Sequence, residues 1–221
     1  MTSMSRKALK LVHKALPHLR LCNDVLVLPP TEHILRGYTF ERTPYKETFY
    51  LWRVVLPLYR FNSRLTLNYS RRIPRGAYVH LSKDAPDQSA VEVTRIISDD
   101  LPKLEVIREP RDFLDYVAWM IGNDTPGFML DLAVTYFLIG RYHEALLTLG
   151  EIPAEAEKRL ESYGPAGPGF AHYDTMRQMA IQLAKDIRFD PAAAARLISD
   201  WEQTNIAGLQ LADTMAEAAK S

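Results

Sequence analysis

The sequence predicts an α+β protein, with an N-terminal helix, an antiparallel sheet of about four strands and an all-helical C-terminal region. Three observations carry that prediction. Between residues 34 and 73 apolar and polar residues alternate with the period of a strand, and aromatic and branched side chains dominate. Before Pro17 and beyond Pro86 the apolar residues return at helical spacing. The charge divides at the same place. Residues 1–83 hold 15 Lys and Arg against 4 Asp and Glu, a net of +11, while residues 84–221 hold 12 against 23, a net of −11. The split marks a basic α+β module over 1–83 and an acidic helical module over 84–221, which one continuous domain can also contain.

Residues 4–16 read as the first helix, with Ala8, Leu11, Val12, Ala15 and Leu16 on one face and Pro17 as its stop. Residues 19–28 form a β-rich run closed by Pro29 and Pro30. Residues 34–42 and 48–59 give two more strands. In the second, Tyr50, Trp52, Val54, Leu56 and Leu58 share one face, and Phe49, Leu51, Arg53 and Val55 the other, so it is expected at the centre of the sheet. Residues 64–73 give a fourth strand, in which Leu65, Leu67 and Tyr69 alternate with polar residues. The connections are too short for crossover helices, so the strands are antiparallel.

Helices follow over 88–100 and 110–121, with Leu104–Ile107 as a short extended piece between them. Residues 127–140 and 142–150 form a helical hairpin, 163–170 an exposed loop, and helices near 172–188, 190–203 and 205–219 complete the chain.

Within the hairpin, Leu132, Ala133 and Tyr136 on the first helix, Gly140 and Tyr142 at the turn, and Ala145 and Leu149 on the second helix match large, small and aromatic packing positions. Residues 129–149 therefore resemble a single tetratricopeptide repeat. The resemblance implies two antiparallel helices approaching closely at Ala133 and Ala145. No second copy follows, and Gly150 and Pro153 are expected to cut the second helix short.

The residues that stand out chemically are basic and aromatic. Arg36, Tyr38, Phe40 and Arg42 occupy alternate positions of one strand, Arg53 lies on the next, and Arg64, Arg71 and Arg72 lie on or just after the last. Arginine interleaved with aromatic rings on an exposed sheet face suits carboxylates of an acidic protein partner, and also phosphates and bases of a nucleic acid. The expected function is a non-catalytic interaction protein of the bacterial cytoplasm: an adaptor, an antitoxin or an immunity-type inhibitor. A nucleic-acid-binding protein using the same face is the alternative. A third reading is an enzyme around His33, which with Glu32 is the best acid/base candidate.

No catalytic motif, metal-ligand spacing or phosphate-binding loop occurs, so no catalytic residue, metal or cofactor is assigned. Cys22 is the one cysteine and is expected to be a buried structural thiol. No apolar run reaches the length of a membrane span, and no membrane partner is expected. The acid-free start, with Arg6, Lys7, Lys10, Lys14 and Arg20, is read as a native helix rather than a transit peptide.

Overall fold

The structure is a computed structural model that describes residues 3–61, 65–73, 78–82, 84–120, 123–165, 167 and 169–211. Among the described residues, helix α1 (Ser3–Ala15) precedes six strands: β1 (Arg20–Cys22), β2 (Val25–Val27), β3 (Ile34–Arg42), β4 (Thr48–Pro57), β5 (Arg71–Ile73) and β6 (Val79–His80). Helices α2 (Pro86–Asp100), α3 (Pro102–Glu105), α4 (Pro110–Val117), α5 (Pro126–Leu138), α6 (Tyr142–Tyr163), α7 (Phe170–Phe189) and α8 (Pro191–Gly208) follow. No helix among the described residues is long and apolar enough to cross a membrane.

All strand pairs are antiparallel in the order β1-β2-β3-β4-β5, and β6 also pairs with β4. β3 and β4 form the spine, in register from Ile34↔Pro57 to Arg42↔Phe49. This follows from sequence: β4 carries branched or aromatic residues at nearly every position and β3 at most positions from Ile34 to Phe40, which suits the centre of a sheet. The run 19–28 is two strands rather than one. Asn23, at φ 53°, turns the chain between β1 and β2, and asparagine tolerates that left-handed backbone better than most residues. In the run 64–73 only Arg71–Ile73 pairs, because a turn at Asn68 and Tyr69 interrupts the alternation, and Arg64 lies outside the described residues. Leu104–Ile107 is not extended. Pro102 opens the one-turn helix α3, a position where proline's missing N–H costs nothing.

The chain forms two compact units. The first comprises 1–58, 63–109 and 206–221, and the second 59–62 and 110–205. The sheet's unit therefore runs on past residue 83, since α2 and α3 pack with the strands. Charge tracks the surface of a chain, whereas compactness tracks buried contacts, and here the two do not divide together. One face of the sheet buries Tyr38, Phe40, Phe49, Leu51 and Val55 in the same unit as Val93 and Ile97 of α2. The other face carries a cluster of Val25, Val27, Leu35, Val54, Leu56 and Leu58 closed by Ile206 and Leu211.

In the second unit α5 and α6 form the hairpin, with Ala133, Ala145 and Leu149 buried. Gly140, at φ +79°, makes the turn. α6 does not stop at Gly150 or Pro153: it continues to Tyr163 and buries Ile152, Ala156 and Leu160. Proline removes one backbone donor, and burial of that apolar stripe outweighs the loss. At the far end α8 runs unbroken from Pro191 to Gly208, so no separate helix begins at 205, and 212–221 lie outside the described residues.

Candidate functional site

The strand register places the arginines and aromatics on two different faces. Arg36, Tyr38, Phe40 and Arg42 alternate along β3, and their β4 partners are Val55, Arg53, Leu51 and Phe49. This face is core rather than an exposed contact surface. Arg36 is 2% exposed and Tyr38 fully buried. The Arg36 guanidinium donates to the Pro30 carbonyl at 2.7 Å and to the Leu104 carbonyl of α3 at 3.4 Å. The Tyr38 hydroxyl donates to Asp100 Oδ2 at 3.4 Å, and Arg53 Nε lies 3.2 Å from the same oxygen. Arg42, at the strand end, and Arg71, opposite Arg53, remain exposed. Burial pushes the Tyr38 hydroxyl well above the usual tyrosine range, and the negative charge of Asp100 adds to the effect.

On the opposite face arginine and aromatic side chains meet at the surface: Arg72 and Glu41 are exposed, Tyr50 and Trp52 half-buried, and Trp52 also packs on the Val54 and Leu56 cluster. Register sets Glu41 opposite Tyr50 and Trp52 opposite Arg72. The closest contacts run diagonally, Arg72 to Tyr50 and Trp52 to Glu41. Arg72 Cζ lies 3.6 Å from the Tyr50 ring centroid and 4.8 Å from that of Trp52. The Trp52 indole Nε1–H donates to Glu41 Oε2 at 2.8 Å, and Arg72 Nη2 stands 3.9 Å from that same oxygen. Diagonal neighbours on a twisted sheet reach one another only through long or aromatic side chains, which these are.

Two further tyrosines extend the patch. Tyr78, just before β6, sets its ring 5.1 Å from Tyr50 and 5.8 Å from Tyr45. Tyr45 sits in the β3–β4 connection, where the Thr43 and Thr48 hydroxyls bond each other and Thr43 Oγ1 accepts the Tyr45 N–H at 3.1 Å. A hydrogen bond with Tyr50 raises the Tyr78 hydroxyl above its ordinary value.

Of the seven described residues among the eight singled out in the sequence, only Arg72 belongs to this patch; Arg36, Tyr38 and Phe40 are core, and Arg53 is nearly so. Tyr50 and Trp52 were legible as one face of β4. Nothing in the period indicated that this face, and not the other, stays open at its β5 end. No motif or period marks Glu41, Tyr45 or Tyr78, although register alone joins Glu41 to Tyr50.

The remaining candidates are placed as follows. The His33 carbonyl accepts the Leu58 N–H at 2.8 Å, which continues the β3–β4 pairing by one step. Cys22 is half-buried rather than fully enclosed, and lines a cavity of about 140 Å³ with Val25, Val27, Leu35 and Leu211. Among the described residues no three His, Cys, Asp or Glu converge as a metal site would require. No protein-family model matches the chain, and comparison with curated proteins and with solved structures returned no match.

Proposed function

We propose that this chain is a non-catalytic protein-interaction protein and that the open sheet face of Tyr50, Trp52 and Arg72, rimmed by Tyr45 and Tyr78, is its contact surface. Tryptophan, tyrosine and arginine are the residues that most often dominate binding energy at protein interfaces. The observation that carries the reading is the assembly of half-buried Tyr50 and Trp52 with exposed Arg72 on the paired strands β4 and β5, beside Tyr45 at 63% and Tyr78 at 47% exposure. A rigid aromatic surface loses little conformational entropy on binding.

The same geometry disfavours a nucleic-acid reader. Phosphate binding needs several cations in a row, and its affinity grows with their number. Here Glu41 stands beside Arg72, while Arg36 and Arg53 are turned into the core. An adaptor, antitoxin or immunity-type inhibitor of the cytoplasm fits the reading. The α5–α6 hairpin, if it acts as a tetratricopeptide repeat does, is a second contact element.

The test begins with capture from the native cell, followed by reconstitution of the complex from the two purified proteins. Trp52→Ala is expected to cost about 2 kcal/mol or more, roughly thirtyfold in Kd. A complex indifferent to both Trp52→Ala and Tyr50→Ala overturns the proposal. So does binding to generic nucleic acid whose affinity falls with salt by a log–log slope of about 0.7–0.9 per phosphate.

A further inference from the structure

We infer that Arg72 is a carboxylate clamp, and that the open sheet face takes an acidic side chain presented by an otherwise apolar segment of a partner protein. The inference rests on the interaction reading above and names the partner's chemistry.

Three features carry it. The guanidinium lies over the Tyr50 ring, at 3.6 Å, with Trp52 beside it at 4.8 Å. That contact holds the side chain in place, so little of its considerable rotamer freedom remains to be lost on binding. Next, its acidic neighbour does not consume its donors. Glu41 Oε2 stands 3.9 Å from Arg72 Nη2, beyond hydrogen-bond distance, and is taken up by the Trp52 indole at 2.8 Å. Finally, the Arg72 side chain is 43% exposed. A guanidinium held by its face and open at its edge matches a carboxylate in a planar, two-bonded geometry.

The surroundings select one acid over a polyanion. Glu41 places a negative charge next to the clamp, and an extended row of phosphates or acids would meet that repulsion. One carboxylate flanked by apolar groups meets Arg72 and the Tyr45 and Tyr78 rings instead. A lysine or methylated lysine from a partner is a poorer match, because Arg72 already occupies the ring face such a cation would seek.

The test uses the full-length chain and a library of random short peptides, selected on the wild type and counter-selected on Trp52→Ala. The expected peptides carry a single Asp or Glu beside aromatic or aliphatic residues. Replacing that acid by its amide, or making Arg72→Gln, is expected to weaken binding about tenfold or more. Arg72→Lys keeps the charge, loses the fork, and is expected to recover only part of the affinity. Glu41→Gln removes the competing charge and is expected to tighten binding. Circular dichroism melting confirms that each variant is folded.

Peptides that depend on Trp52 but ignore Arg72 overturn the clamp and leave the interaction reading standing. So do peptides rich in Lys or Arg whose binding improves in Arg72→Gln. Displacement of the selected peptides by a generic single-stranded oligonucleotide overturns the clamp in favour of phosphate recognition. If no selected peptide depends on Trp52, both the clamp and the interaction reading fail.

Discussion

Asp100 gathers three groups at the end of α2: the Tyr38 hydroxyl donates at 3.4 Å and Lys103 Nζ at 3.2 Å, and the Arg53 guanidinium forms an ion pair with Nε 3.2 Å away. Asp100 and Arg53 are both largely sequestered, at 6% and 11% side-chain exposure, whereas Lys103 is exposed and adds little. Removing one partner of such a pair leaves an uncompensated charge behind. Asp100→Asn is therefore expected to lower stability by about 3 kcal/mol in urea denaturation, and a loss under about 1 kcal/mol would show that the pair does not matter. The buried tyrosines make a separate, pH-dependent contribution. Burial raises the Tyr38 hydroxyl, with the charge of Asp100 adding to it, and burial also raises the Tyr59 hydroxyl. A phenol whose folded pKa exceeds its unfolded value of about 10 binds more protons when folded above that pH. Its stabilising contribution is thus complete below pH ~10 and is lost as pH rises further. Denaturation midpoints taken between neutral and strongly alkaline pH are expected to fall less steeply in Tyr59→Phe than in wild type. Parallel slopes would contradict the assignment, whatever the offset caused by losing the Tyr59–Thr135 bond of 2.9 Å.

At the scale of elements, the sequence was most readable where one pattern had one structural solution. The period-2 runs over Ile34–Arg42 and Thr48–Pro57 became β3 and β4, and helical periodicity gave α1, α2, α5 and α7. What periodicity cannot report is which face of a strand the rest of the chain will cover. Arg36 and Arg53 read as surface residues because arginine usually is one, yet carbonyls of Pro30 and Leu104 and the carboxylate of Asp100 supply partners that make their burial tolerable. Those partners lie up to 68 residues away, so no local signal announces them. The persistence of α6 through Pro153 has the same origin, in contacts that outweigh local preference. Gly37 is a case where contact distance sets the requirement. A Cβ built there would fall 2.2 Å from the Leu26 carbonyl oxygen of β2. That oxygen is backbone, so relief would require β2 and β3 to separate. Gly37→Ala is expected to destabilise the protein by more than about 3 kcal/mol, read from the urea midpoint. A stability within about 0.5 kcal/mol of wild type would mean that β2 is free to move away.

At the scale of the whole molecule, the even split of charge between the two ends of the chain does not follow the two compact units. Asp100 belongs to the acidic stretch, Arg53 to the basic one, and both lie in the unit that holds the sheet. The second unit depends on four residues that directly follow β4 and its extension at Leu58. Arg60 Nε lies 3.4 Å from Asp131 Oδ2 with both side chains about 5% exposed or less. The Asn205 amide donates to the Arg60 carbonyl at 2.7 Å, and the Phe61 ring meets Trp201 at 5.4 Å. A chain cut to residues 110–205 keeps Asp131 and loses the Arg60 guanidinium. Burying an ionised carboxylate without its cation costs several kcal/mol, on the order of 3–5. The fragment is therefore expected to be far less stable than this region is in the intact protein, as followed by circular dichroism in urea. The decisive comparison is Asp131→Asn in both backgrounds. In the intact chain it breaks the pair and is expected to cost about 3 kcal/mol, because Arg60 is left buried and charged. In the fragment the Arg60 partner is already gone, and the same substitution is expected to cost far less. A cost that shrinks in the fragment identifies Arg60 as part of this unit's core. An equal cost in both would show that the unit's stability does not rest on Arg60.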